Sequence, residues 1–166
     1  MTTDFSYWNT VDTSTFLADD WDNPSRDWAG QIIRAKGGRV AEVGPGIGTD
    51  YTNQFKQSVL DGKLKYVGVE GSSNFFKYLQ IRHPEAFWTN SPLIAMPVKA
   101  FDTVYAKAVL EHQAALEPGL SYLLSAATKT VVIIWYRPPA TEAISQKVDG
   151  VYYHTFKRDE VLAVLA

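Results

Sequence analysis

Three glycines at alternate positions, Gly44, Gly46 and Gly48, stand in Val40-Ala41-Glu42-Val43-Gly44-Pro45-Gly46-Ile47-Gly48-Thr49-Asp50, where a short apolar run hands over to a helical pattern. Without a Cβ the main chain at such a turn can pass close to a ligand, and the N–H groups that open the following helix favour a negative group. The rival is a tight strand-to-helix turn with no ligand. Glu42 sits inside the apolar run, where a carboxylate costs free energy unless paired, so it either serves a cation at the turn, caps a helix or pairs with an arginine. Glu70 ends the next apolar run, and its plain alternative is a solvated strand end. His112 has the best case for a general base, because a neutral imidazole can take a proton from a hydroxyl or an amine; capping a helix or facing solvent is the competing role. His83 and His154 have no metal-ligand spacing to each other or to carboxylates, so structural roles and no metal site are expected. The chain has no cysteine, which removes disulfides, thiolate nucleophiles, Cys-held zinc and iron–sulfur clusters.

The elements that must position these residues alternate. The patterning predicts a helix over 24–36, a strand over 39–43, a helix over 49–60, a strand over 65–69, a helix over 73–81, a weak strand over 86–88, a strand over 101–105, a helix over 116–127 and a strongly β-branched strand over 130–136. Repeated strand–helix alternation predicts an α/β, Rossmann-like doubly wound and mostly parallel sheet of about five strands, with helices on both faces. Beyond Tyr136 only 30 residues remain, with a short extended piece at 151–153 and a helix from about Thr155.

The dinucleotide fingerprint G-x-G-x-x-G fails, since its third glycine falls on Thr49. The segment from Glu42 through Gly44, Pro45, Gly46 and Gly48 instead resembles motif I of the class I S-adenosylmethionine-dependent methyltransferases. Tyr66-Val67-Gly68-Val69-Glu70-Gly71-Ser72 ends 24 residues beyond Gly46 at the acidic residue, and Phe101-Asp102 through Val109-Leu110-Glu111-His112 is similar to the family's fourth-strand motif. The resemblance covers residues 28–166 and implies S-adenosyl-L-methionine as cofactor. It places Glu42 near the methionine end, and Glu70 and Gly71 at the ribose, where one carboxylate accepts from two hydroxyls. Asn90 and Ser91 fall at the adenine edge, and Lys107 beside the cofactor. Asn90 departs from the family's acidic residue there, and Ala106-Lys107-Ala108 stands where enzymes that methylate exocyclic amino groups carry a proline-rich motif. The activity implied is methyl transfer to an oxygen or nitrogen of a small molecule. A lyase or hydrolase use of the same cofactor, or a non-catalytic methyltransferase-like subunit, are the alternatives. The family's C-terminal antiparallel strand pair has no sequence left to form it, so an uncovered sheet edge and a homodimer through the C-terminal half are expected.

Composition sets the remaining bounds. With 166 residues, 46% apolar, one domain over 1–166 is expected. Residues 1–28 hold Tyr7, Trp8, Phe16, Trp21 and Trp28 with no basic residue before Arg26, and read as an aromatic arm or lid docked on the body or over a ligand. Stacking of Tyr7, Trp8 or Trp21 on a substrate or on the sulfonium competes with plain packing. A net charge of −2 without a basic stripe argues against nucleic acid as partner, and the lack of any long apolar run argues for no membrane span and a cytoplasmic location.

Overall fold

The computed structural model of the chain describes residues 6–16 and 24–166; Trp21 and the aspartates around it lie outside the described residues. Helix α1 (Pro24–Lys36) begins with proline at its first turn, carries Asp27 there and Arg34 and Lys36 in its last turn, and buries Ala29 and Ile33 one turn apart. It delivers the chain to β1 (Gly38–Val43), which lies at the centre of a sheet and pairs in parallel with both β2 (Leu64–Glu70) and β4 (Phe101–Lys107). With β3 (Phe87–Asn90) and β5 (Ala127–Ile134) the sheet has the order β3-β2-β1-β4-β5, every pair parallel. The chain leaves β1 first on one side and then on the other, so the crevice at the carboxyl ends of β1 and β4 is where such a sheet admits a ligand.

Both faces of the sheet are covered. Period-two alternation sends Val40, Tyr66 and Tyr105 to one face, against Ile33 of α1 and Phe55, and Ala41, Val43 and Val104 to the other, against Leu120 and Leu123 of α4 (Leu116–Ala126). The helix after β1 is not uniform: a wide π-helical turn at Tyr51–Phe55 runs into α2 (Lys56–Leu60), and Tyr51 and Phe55 are buried. Helix α3 (Ser73–Arg82) follows β2 and starts at Ser72, whose hydroxyl accepts from the Phe75 N–H in the usual way of a helix cap.

The expectation that no antiparallel strand pair forms is corrected by the structure. Strands β6 (Ile144–Val148) and β7 (Val151–Thr155) make an antiparallel hairpin, a separate two-stranded sheet between β5 and α5 (Arg158–Leu165). Its two-residue turn, Asp149-Gly150, has φ of 51° and 87°, both in the left-handed region that a type I′ hairpin needs and that glycine adopts without strain. The β5 strand also begins at Ala127 and ends at Ile134, so Tyr136 lies in the loop beyond it.

Candidate functional site

Of the three glycines after β1, one faces open space. All have positive φ (64°, 57° and 79°), which an L side chain adopts only with strain. A Cβ built on Gly44 would lie 2.7 Å from Val109 Cγ2, and one on Gly48 would lie 2.8 Å from Leu79 Cδ2. A Cβ on Gly46 meets nothing within 4 Å. Gly44 and Gly48 therefore give neighbouring side chains room, whereas Gly46 presents bare main chain to a cavity of about 460 Å³ at the carboxyl ends of β1, β2 and β4.

The Gly46 N–H donates to Glu70 Oε2 at 3.0 Å and the Ser72 N–H to Oε1 at 2.8 Å, so the carboxylate at the end of β2 is tied to the glycine loop. Burial pushes the Glu70 carboxyl up to about 7, against the pull of the Ser72 and Gly46 N–H groups. Asn90 donates from Nδ2 to the Glu70 and Gly71 carbonyls, at 2.8 and 3.2 Å, which commits its amide protons and leaves Oδ1 as an acceptor.

Beneath the loop lies a buried polar group that joins three strands and a helix. The Tyr66 hydroxyl donates to Glu42 Oε2 at 2.5 Å and the Tyr105 hydroxyl to Asp50 Oδ2 at 2.9 Å. Burial, then the nearby Asp50 charge, pushes Glu42 up to about 8, and burial raises Asp50 as well. Arg26 of α1 lies 3.6 Å from Asp50 Oδ1, with its side chain 9% exposed; its Nε and Nη1 make no hydrogen bond, although the residue lines the cavity. Lys107, the last residue of β4, also lines the cavity and eases the Asp50 charge.

His112 reaches the cavity from the short turn Leu110–His112 beyond β4. Its Nδ1 lies 2.7 Å from the Tyr152 carbonyl, and its ring meets those of Trp8 and Tyr153, each at 5.2 Å between centroids. Glu111 beside it is buried and accepts from the Tyr136 and Arg137 N–H groups at 2.5 and 3.3 Å, fastening the loop after β5. From the arm, the Trp8 and Val11 carbonyls and the Asn9 side chain accept from Ser72, Ser73 and Asn74 at the start of α3. Tyr7, Trp8 and Phe16 line the cavity.

The structure thus brings Glu42, Gly44, Pro45, Gly46, Glu70, Lys107 and His112 to one cavity wall, and sets Gly48, Gly71, Asn90 and Ser91 off it. Sequence reasoning missed Arg26, Asp50, Tyr66, Tyr105 and Tyr152. Arg26 alone left a signal, as the first basic residue of the chain, in the first turn of a helix. Among the described residues no group of His, Asp and Glu is placed to hold a metal ion, and no helix is long and apolar enough to cross a membrane.

No protein-family model matches the chain, and no curated protein shows a significant match to it. Solved structures do match. The Burkholderia thailandensis 1,6-didemethyltoxoflavin-N1-methyltransferase, with 1,6-didemethyltoxoflavin and S-adenosylhomocysteine bound, aligns over 92% of this chain and 73% of its own at 17% identity, TM-score 0.63. The sugar N-methyltransferase KedS8 of Streptoalloteichus aligns over 99% and 83% at 12% identity, TM-score 0.62. The CurJ carbon methyltransferase aligns over 69% of this chain but 35% of its own, at 15% identity, TM-score 0.59. The parallel five-stranded sheet with its glycine loop at the switch point is the class I methyltransferase fold.

Proposed function

We propose that the protein binds S-adenosyl-L-methionine and transfers its methyl group to an oxygen or nitrogen of a small molecule. The observation that carries this reading is the pairing of Gly46, the loop glycine with open space before it, with the buried Glu70 carboxylate, both on one cavity of about 460 Å³. Glu70 accepts from the ribose hydroxyls with the lone pairs that Gly46 and Ser72 leave, and the main chain of Gly44-Pro45-Gly46 lies alongside. Arg26, with unused N–H groups, takes the methionine carboxylate, while Asp50 favours the ammonium and the sulfonium charge and Glu42 adds to it on releasing its proton. Asn90, through Oδ1, and Ser91 meet the adenine edge where the site continues past the end of β3; Gly48 serves packing.

When bound, the cofactor supplies a methyl group activated on a sulfonium. The chain's own contribution is to exclude water with Trp8, Phe16 and Phe75, to orient the acceptor, and to accept its proton at His112. The acceptor atom is read from His112, since the fold serves both nitrogen and carbon methyltransferases.

Titration calorimetry tests the reading. S-adenosylmethionine and S-adenosylhomocysteine both bind, and no heat with either at millimolar concentration overturns it. Product analysis after incubation with candidate acceptors separates methyl transfer from cofactor cleavage.

A further inference from the structure

We propose that the β6–β7 hairpin is a working part of the site: the Tyr152 main-chain carbonyl holds His112 in the Nδ1–H tautomer and so leaves Nε2 as the nitrogen that accepts the acceptor's proton. The role of Nε2 rests on the methyl-transfer reading above; the tautomer does not. A carbonyl oxygen only accepts, so the 2.7 Å contact requires a proton on Nδ1, and in the neutral ring the lone pair then belongs to Nε2. Nε2 is the ring nitrogen not engaged by the Tyr152 carbonyl, and the residue lines the cavity.

The hairpin is built to hold that contact. It is not hydrogen-bonded into the main sheet, and every residue of β6 is exposed. Strand β7 packs on the Leu110–His112 turn and is fastened there twice, since His154, stacked on Tyr152 at 5.3 Å, also hydrogen-bonds the Gln113 main chain. Tyr153 meets the His112 ring at 90° and Trp8 meets it at 61°, so ring rotation is opposed from both the hairpin and the arm. An orienting acceptor on the far nitrogen is what makes an imidazole a directed base, and here a main-chain carbonyl takes that part. It follows that the acceptor carries a transferable O–H or N–H proton.

The test is the nitrogen-15 spectrum of the histidine rings in the full chain, with and without S-adenosylhomocysteine. There are three histidines, and His112→Asn identifies the relevant signals while keeping an amide donor for Tyr152. Neutral His112 is expected wholly as Nδ1–H; an Nε2–H ring overturns the proposal. Gly150→Val places a branched residue at φ 87° in the hairpin turn. Amide exchange in β6 and β7 is expected to quicken at least tenfold and His112 to become a mixture of tautomers, with product affinity within twofold of the parent. A ring that stays Nδ1–H while those amides exchange tenfold faster also overturns it. Loss of all product binding by the parent chain rejects the methyl-transfer reading instead, and leaves the tautomer result standing.

Discussion

Glu42 and Glu70 hold protons at a pH where an exposed carboxylate has lost them. Burial raises them to about 8 and about 7 from an ordinary value of 4.5, so above 4.5 the folded chain retains protons that the unfolded chain releases, and stability falls as pH rises. His83 and His154, lowered by burial from 6.5, act the opposite way below that pH, which leaves the fall clearest between about 6.5 and 8. The ligand-free protein is expected to lose on the order of 2 kcal/mol across that window, and Glu42→Gln to flatten the slope. Calorimetric melts at several pH values check this; a flat or rising melting temperature contradicts it. Glu70→Ala is expected to weaken S-adenosylhomocysteine by about 1.5 to 3 kcal/mol, the scale of hydrogen bonds to a charged group, and an unchanged dissociation constant would move the ribose contact elsewhere. The acidic and glycine members of this site announce themselves by type and spacing. Arg26, Asp50, Tyr66 and Tyr105 do not, because α1, the turn after β1, β2 and β4 bring them together only once the sheet is formed.

At the scale of elements, the glycine loop separates binding from folding. Gly46→Val meets no neighbouring atom but is strained at φ 57°, so it is expected to abolish cofactor binding with some loss of stability and the fold largely intact, whereas Gly48→Val carries the same backbone strain, would also drive into Leu79 and His83, and is expected to cost the fold itself. Circular dichroism and calorimetry on the two variants decide; normal binding by the Gly46 variant would make the turn merely structural. Helix α1 was legible to the residue, since Pro24 opens it and Gly37 closes it. Of the hairpin only β7 was, as the short extended piece over 151–153; β6 was not, although Asp149-Gly150 is a strong turn signal, because it buries nothing and Ile-Ser-Gln-Lys-Val has no apolar period to read. The π-helical turn at Tyr51–Phe55 is invisible for a related reason: one inserted residue shifts the helical period without changing composition.

For the whole molecule, β5 is one of the two edges of the main sheet, and beside it α4 and α5 leave a groove of about 420 Å³ lined by Val131, Ile133, Trp135 and Leu165. A β-branched edge of this kind is expected to pair with a second copy about a two-fold axis. Light scattering at micromolar concentration should give a mass near twice 18.5 kDa, and Val131→Lys should halve it; a parent mass near 18.5 kDa removes the dimer. The arm carries a different consequence. Three successive residues at the start of α3 clasp Trp8, Asn9 and Val11 beside the glycine loop, and Trp8 lines the cavity, so any swing of the arm that accompanies ligand entry or exit would break that clasp. Clasping of this kind governs residence time more than equilibrium occupancy. Stopped-flow traces of the tryptophan emission should therefore show Ser72→Ala and Asn74→Ala speeding arrival and departure together, with the ratio of the two nearly unchanged, and turnover under saturating acceptor would then be paced by product escape.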